Sequence, residues 1–161
     1  LYWQHGCHVE SQVNRTMPGS DGMEKMRQLM GGLRSDPPRE LAGLKVVRMR
    51  DYQNLVELKP GGQPAPFAGP QGDMVMIDLE SEGTYVAVRP SGTEPKVKFY
   101  MFTYEPAEML ANLEDTKGEL SARLDRLSAD LAAFAAIDEA ARGIPVAALG
   151  GLGGRDRRVE P

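Results

Sequence analysis

Cysteine is almost missing from this sequence, and the one thiol, Cys7, has no partner for an intrachain disulfide. A reducing setting follows, and the cytoplasm is the expected location. A surplus of positive charge is also lacking: 19 Lys and Arg stand against 23 Asp and Glu, for a net charge of -4. Affinity for a phosphate backbone depends on such a surplus, so general nucleic-acid binding is excluded. No apolar run approaches the roughly 20 residues that cross a bilayer, so no membrane partner is expected. There are only 2 histidines, both in His5-Gly6-Cys7-His8. That cluster invites a zinc reading but has no second paired cluster downstream to complete a tetrahedral site, so no metal is assigned to it. Leu1-Tyr2-Trp3-Gln4-His5 carries no initiator Met, charged n-region or apolar h-region. The chain is therefore expected to begin midstream, as a piece of a longer protein.

What is present suits one domain with a core and loose ends: 161 residues, 41% hydrophobic and 26% charged. Residues 20–34 read as a helix, with Asp21 and Glu24 at capping-box spacing and Met23, Met26, Met30 and Leu33 at helical intervals. Residues 44–51 read as a strand with one wet face, and 58–72, rich in Pro and Gly, as a long loop. Two β-rich runs, 73–79 and 84–88, are joined by Glu80-Ser81-Glu82-Gly83 and form a hairpin. Residues 96–103 alternate Val97, Phe99 and Met101 with Lys96, Lys98 and Tyr100, which predicts a strand with one buried face. From 106 to 142 a long helix is predicted, with a stripe of Leu110, Leu113, Leu120, Leu124, Leu127, Leu131 and Phe134 that Lys117 interrupts. The tail from 143 to 161 reads as flexible and charged.

The segment with the most chemistry is Arg89-Pro90-Ser91-Gly92-Thr93-Glu94-Pro95, between two predicted strands. Arg89 offers a planar fork of donors that fits two oxygens of an oxyanion, and Ser91 and Thr93 add hydroxyl donors. Gly92 permits a positive φ, which would let successive N–H groups converge on an anion. Pro90 and Pro95 stiffen the ends of the loop. From the residues alone, a polar hairpin loop and an anion site remain equal alternatives. No nucleophile and base accompany the loop, so it is expected to bind and not to react.

Arg89 to Pro95, extended through Lys96-Val97-Lys98-Phe99-Tyr100, resembles the phosphate-binding loop and following strand of the α-D-phosphohexomutase superfamily, the phosphoglucomutases and phosphomannomutases. The preceding hairpin and Asp21-Gly22-Met23-Glu24-Lys25-Met26 resemble the last third of the same proteins, so the likeness spans roughly residues 5–135. The resemblance implies an α+β fold, an antiparallel sheet of about four strands with helices on one face, similar to the TATA-box-binding protein. It implies that 1–38 is the tail of a preceding third domain with a linking helix, and that 39–142 is the C-terminal substrate-phosphate-binding domain. The parent would move a phosphoryl group within a sugar phosphate through a phosphoserine and a bisphosphorylated intermediate, with Mg2+ at the serine. Its partners here would be the phosphosugar and the N-terminal domains of the same protein. Arg89, Ser91, Gly92 and Thr93 carry over as phosphate-binding positions, and Lys98 adds charge from the adjacent strand. The family's T-A-S-H-N-P-like, D-G-D-x-D-R-like and G-E-E-S-G-like runs do not occur in this sequence, so the chain alone is expected to be inactive. The alternative is a non-enzymatic interaction module that dimerises through the helix 106–142.

Overall fold

The computed structural model describes residues 2–140, with side-chain surroundings as far as residue 135. In chain order the elements are α1 (Tyr2–His5), β1 (Cys7–Thr16), α2 (Gly22–Ser35), β2 (Glu40–Leu41), β3 (Leu44–Asp51), β4 (Val56–Leu58), β5 (Ala65–Pro66), β6 (Val75–Leu79), β7 (Tyr85–Pro90) and β8 (Lys96–Glu105). A 3-10 turn at Ala107–Met109 and α3 (Leu113–Ala140) follow. The tail 143–161 lies outside the described residues.

The strands form one antiparallel sheet in the order β1-β8-β7-β6-β3-β4-β5, with β2 paired to β3. The fold is thus α+β with an antiparallel sheet, as expected, but the sheet has eight strands where about four were expected. Four strands make the difference: β1, β2, β4 and β5, of which β2 pairs with the start of β3. The segment before residue 39 contributes β1, which pairs with β8 over ten residues from Cys7↔Glu105 to Thr16↔Lys96. The Pro/Gly-rich excursion, expected as a loop, turns back into the short strands β4 and β5.

Alternation decides which face each strand buries. On β8, Val97, Phe99, Met101 and Thr103 are buried, while Lys96, Lys98, Tyr100 and Phe102 are only half-covered. Val86 and Val88 on β7, Val75, Ile77 and Leu79 on β6, and Val46 and Met49 on β3 share the inward side. They join Met26, Leu29, Met30 and Leu33 of α2 and Leu124, Leu127, Leu131 and Phe134 of α3 in a single buried cluster. Both helices therefore lie on one face of the sheet, and among the described residues the opposite face is open.

The helix ends differ from the sequence reading. The Asp21 side chain makes no capping bond to α2; its carbonyl instead accepts the Glu24 and Lys25 N–H groups, each at 3.0 Å. The long helix begins at Leu113 and not at 106, after the 3-10 turn. Asn112 caps it: its Oδ1 accepts the Glu114 N–H at 3.0 Å, and its carbonyl accepts the Thr116 hydroxyl at 2.8 Å. Thr116 is buried and fills the slot that Lys117 seemed to interrupt. No helix among the described residues is long and apolar enough to cross a membrane.

Candidate functional site

The loop Ser91 to Pro95 joins the ends of β7 and β8, and both of its roots are fixed by backbone bonds. The Ser91 N–H donates to the Lys96 carbonyl at 2.7 Å, closing the hairpin. The Met17 N–H donates to the Pro95 carbonyl at 2.7 Å, so the β1–α2 connection holds the other root. Gly22 opens α2 directly against this junction: a Cβ there would sit 2.1 Å from the Met17 carbonyl oxygen and 2.9 Å from the Pro95 Cβ. Only glycine fits that approach.

Gly92 is different. It is not among the residues with positive φ, and a Cβ on it would meet nothing within 4 Å. The left-handed turn expected there is absent, and the loop shapes itself through its two roots instead. Gly92, Thr93 and Glu94 are exposed, and Ser91 is half-buried. Among the described residues, the Ser91 and Thr93 hydroxyls make no hydrogen bond, which leaves both available to a ligand.

Register sets the charges around the loop. Arg89 pairs with Lys98, and Lys98 pairs with Asn14 on β1, so these three residues form one row across the open face beside the loop. Two cations thus stand directly opposite one another, an arrangement that destabilises a bare sheet. Among the described residues neither makes an ion pair. The adjacent carboxylate, Glu94, is engaged by the Lys96 ammonium at 2.6 Å. Hydrogen bonding and charge from Lys96, with a further contribution from Lys98, hold the Glu94 carboxyl below its ordinary range.

The next rows treat their cations otherwise. Arg48 Nε donates to Asp78 Oδ2 at 2.7 Å, and Arg50 Nη2 donates to Asp78 Oδ1 at 2.6 Å. Glu57 lies 3.5 Å from Arg48, and the Asp78 hydrogen bond helps raise the guanidinium pKa of Arg48. Arg50 also reaches the Tyr52 hydroxyl at 3.3 Å. On the helix side, Arg34 Nε donates to the buried Asp51 at 3.0 Å, and Arg34 also pairs with Asp73.

The structure therefore gathers Arg89, Ser91, Gly92, Thr93 and Lys98 at one end of the open face. Sequence reasoning missed Asn14, because β1 itself was not expected, and it missed the role of Gly22 at the loop root. His8 and Cys7 point to opposite faces of β1: Cys7 is fully buried and His8 is exposed near Phe102 and Tyr104. Among the described residues no three His, Cys, Asp or Glu groups come together as metal ligands. A cavity of about 740 Å3 lies elsewhere, between Pro37, Pro38, Met49, Leu58 and Pro60, and no residue of the loop lines it.

No family model matches the chain. Its sequence is similar to curated bacterial enzymes named phosphoglucomutase. The protein of Staphylococcus aureus (strain bovine RF122 / ET3-1) is 31% identical over 125 residues, which is 77% of this chain and 21% of that protein. That of Staphylococcus haemolyticus (strain JCSC1435) is 36% identical over 102 residues, 63% of this chain and 18% of the relative. That of Staphylococcus aureus (strain MRSA252) is 34% identical over 102 residues, with the same coverage of 63% and 18%. The chain thus spans about a fifth of the length of the curated relatives it matches.

Proposed function

We propose that this chain, which belongs to the α-D-phosphohexomutase superfamily, is the C-terminal phosphosugar-gripping part of an enzyme of the phosphoglucomutase and phosphomannomutase kind. The parent moves a phosphoryl group within one sugar phosphate, using a phosphoserine and a bisphosphorylated intermediate. The observation that carries the reading is the Arg89 and Lys98 pair, two opposed cations that have no ion-pair partner among the described residues and stand beside two hydroxyls unengaged by them. An anion seated there removes the repulsion and satisfies the donors, so the site gains most from a dianionic phosphate.

Phosphoryl transfer is carried by positioning and charge neutralisation, and a grip on the phosphate that does not react supplies both from a distance. Arg89, Ser91, Thr93 and Lys98, with the Gly92 backbone, are the groups assigned to it. The nucleophilic serine and the Mg2+ ligands belong to parts of the parent outside this sequence, so the chain alone is inactive. The sugar phosphate and the preceding domains are its partners, and a cytoplasmic setting belongs to the same reading.

The dimerisation alternative draws no support from the long helix. Leu120, Leu124, Leu127, Leu131 and Phe134 are buried against the chain's own sheet and α2. An NMR titration with inorganic phosphate and glucose 1-phosphate tests the grip. Amides from residue 88 to 98 should shift at millimolar ligand, roughly the affinity that a few charge-assisted bonds support, and the response should vanish in Arg89→Ala. A loop that stays silent in the wild-type chain, or shifts equally in Arg89→Ala, removes the phosphate site.

A further inference from the structure

We propose that Glu94 is the counter-ion of Lys96 within the loop, and that phosphate takes its place, which makes Lys96 a further phosphate-binding residue. The inference rests on the phosphate-grip reading and adds an exchange step to it.

Glu94 is the sole carboxylate between Arg89 and Lys98, in a segment that carries three cations. Its Oε2 lies 2.6 Å from the Lys96 ammonium. The same two residues are joined by a backbone bond, the Lys96 N–H donating to the Glu94 carbonyl at 2.7 Å. A tight turn therefore holds carboxylate and ammonium together. The partners are unequally covered: the Lys96 side chain is 25% exposed and that of Glu94 61%. The lysine is the seated member, and the glutamate is free to swing into water.

Lys96 has the parity of Lys98 on β8, since buried Val97 separates them. Its side chain therefore rises from the open face about 7 Å along the strand from Lys98. Arg89, Lys98 and Lys96 form a triangle of cations, and Glu94 neutralises one corner of it. A carboxylate brings one negative charge to that corner. A phosphate dianion brings more charge and reaches all three cations at once, so it displaces Glu94 from Lys96 while Arg89 and Lys98 hold it. The ammonium then exchanges one anionic partner for another and is never left bare, which keeps the step low in desolvation cost. A grip that has to release its ligand also gains a competitor that refills the site as the phosphate departs.

The test is a double-mutant cycle in the loop: wild type, Glu94→Gln, Lys96→Met and the double variant, each titrated with inorganic phosphate at fixed ionic strength and followed by the loop amides. Glu94→Gln should tighten phosphate binding by about three- to fivefold, the scale of a lost exposed ion pair. Lys96→Met should weaken it by a similar factor. In the Lys96→Met background, Glu94→Gln should change affinity by less than about 1.5-fold. An equal gain in both backgrounds means that Glu94 repels phosphate through space, and overturns the exchange. Weaker binding in Glu94→Gln means that the pair builds the loop, and overturns it too. Either result leaves Arg89 as a phosphate ligand, whereas a wild-type chain that binds no phosphate removes the site and the exchange together.

Discussion

Two ends of one open sheet face handle arginine in opposite ways. At the β3–β6 end, Arg48 and Arg50 converge on Asp78, with Glu57 and the Tyr52 hydroxyl completing the shell. At the β7–β8 end, Arg89 faces Lys98 and, among the described residues, has no carboxylate of its own. The strands are neighbours and the chemistry of the side chains is the same, so the contrast lies in what surrounds them. A guanidinium that serves the fold is supplied with acceptors by the fold. One left without them, opposite a second cation, is on the proposed reading a position where the fold gives up stability for a ligand from outside.

Substitutions can sharpen that contrast at two places on the open face and at one buried pair on the helix side. The largest effect belongs to the most covered pair. Asp51 is 2% exposed and accepts bonds from Arg34, the Gln53 N–H and Asn54. Burial raises its pKa, but the bonds from Asn54, Arg34 and Gln53 together outweigh burial and leave it lowered. Asp51→Asn should cost about 2–3 kcal/mol at neutral pH in urea denaturation. A carboxylate with a lowered folded pKa stabilises above its unfolded value, about 3.9, and loses that contribution as the pH falls through the folded value. The gap between wild type and Asp51→Asn should therefore hold from pH 7 to about 4 and close below it; a gap that stays constant down to pH 2 would refute the assignment.

Asp78→Asn comes next, at about 1–2 kcal/mol, because two arginines lose their shared acceptor at a site still partly wet. The smallest effect on stability should come from Arg89→Met, within about 0.5 kcal/mol of wild type and in the stabilising direction as repulsion from Lys98 is relieved. If Arg89→Met destabilises as much as Asp78→Asn, Arg89 is structural and the contrast fails. Glycine gives a parallel comparison at the loop. Gly22→Ala should cost about 1–3 kcal/mol by forcing Met17 and Pro95 apart, while Gly92→Ala, with open space around it, should be neutral in thermal melts.

Much of this arrangement was legible before the structure. The alternation of Val97, Phe99 and Met101 with Lys96, Lys98 and Tyr100 fixed both the strand and the face on which Lys98 stands, because the period of two leaves no other choice. The hairpin 73–79 with 84–88 was legible for the same reason. β1 was not, since its helix-side positions are Cys7, Val9, Ser11, Val13 and Arg15, too mixed to read as a buried face. Its strand is held by the ladder to β8, a long-range partnership that local pattern does not encode. The Asp78 pairs were hidden likewise, because Arg48 and Asp78 meet through the β3–β6 register across 30 positions of sequence. The loop residues were legible as chemistry, but the backbone conformation of Gly92 was misread, because a glycine in a loop does not reveal which sign of φ it adopts.

The fastening of the loop at Met17 and Gly22 bears on how fast the grip can move. With Pro95 tied to the start of α2 and Ser91 tied across to Lys96, the ends of the loop have no slack of their own. If the chain is the phosphate-gripping part of a larger enzyme, as proposed, approach of Arg89 to a reaction centre must carry the sheet and its helices along as one body. Such displacement belongs to the microsecond-to-millisecond regime of collective motion, roughly a thousandfold slower than the flicker of a free loop, and capture of the phosphate would be timed by the whole sheet.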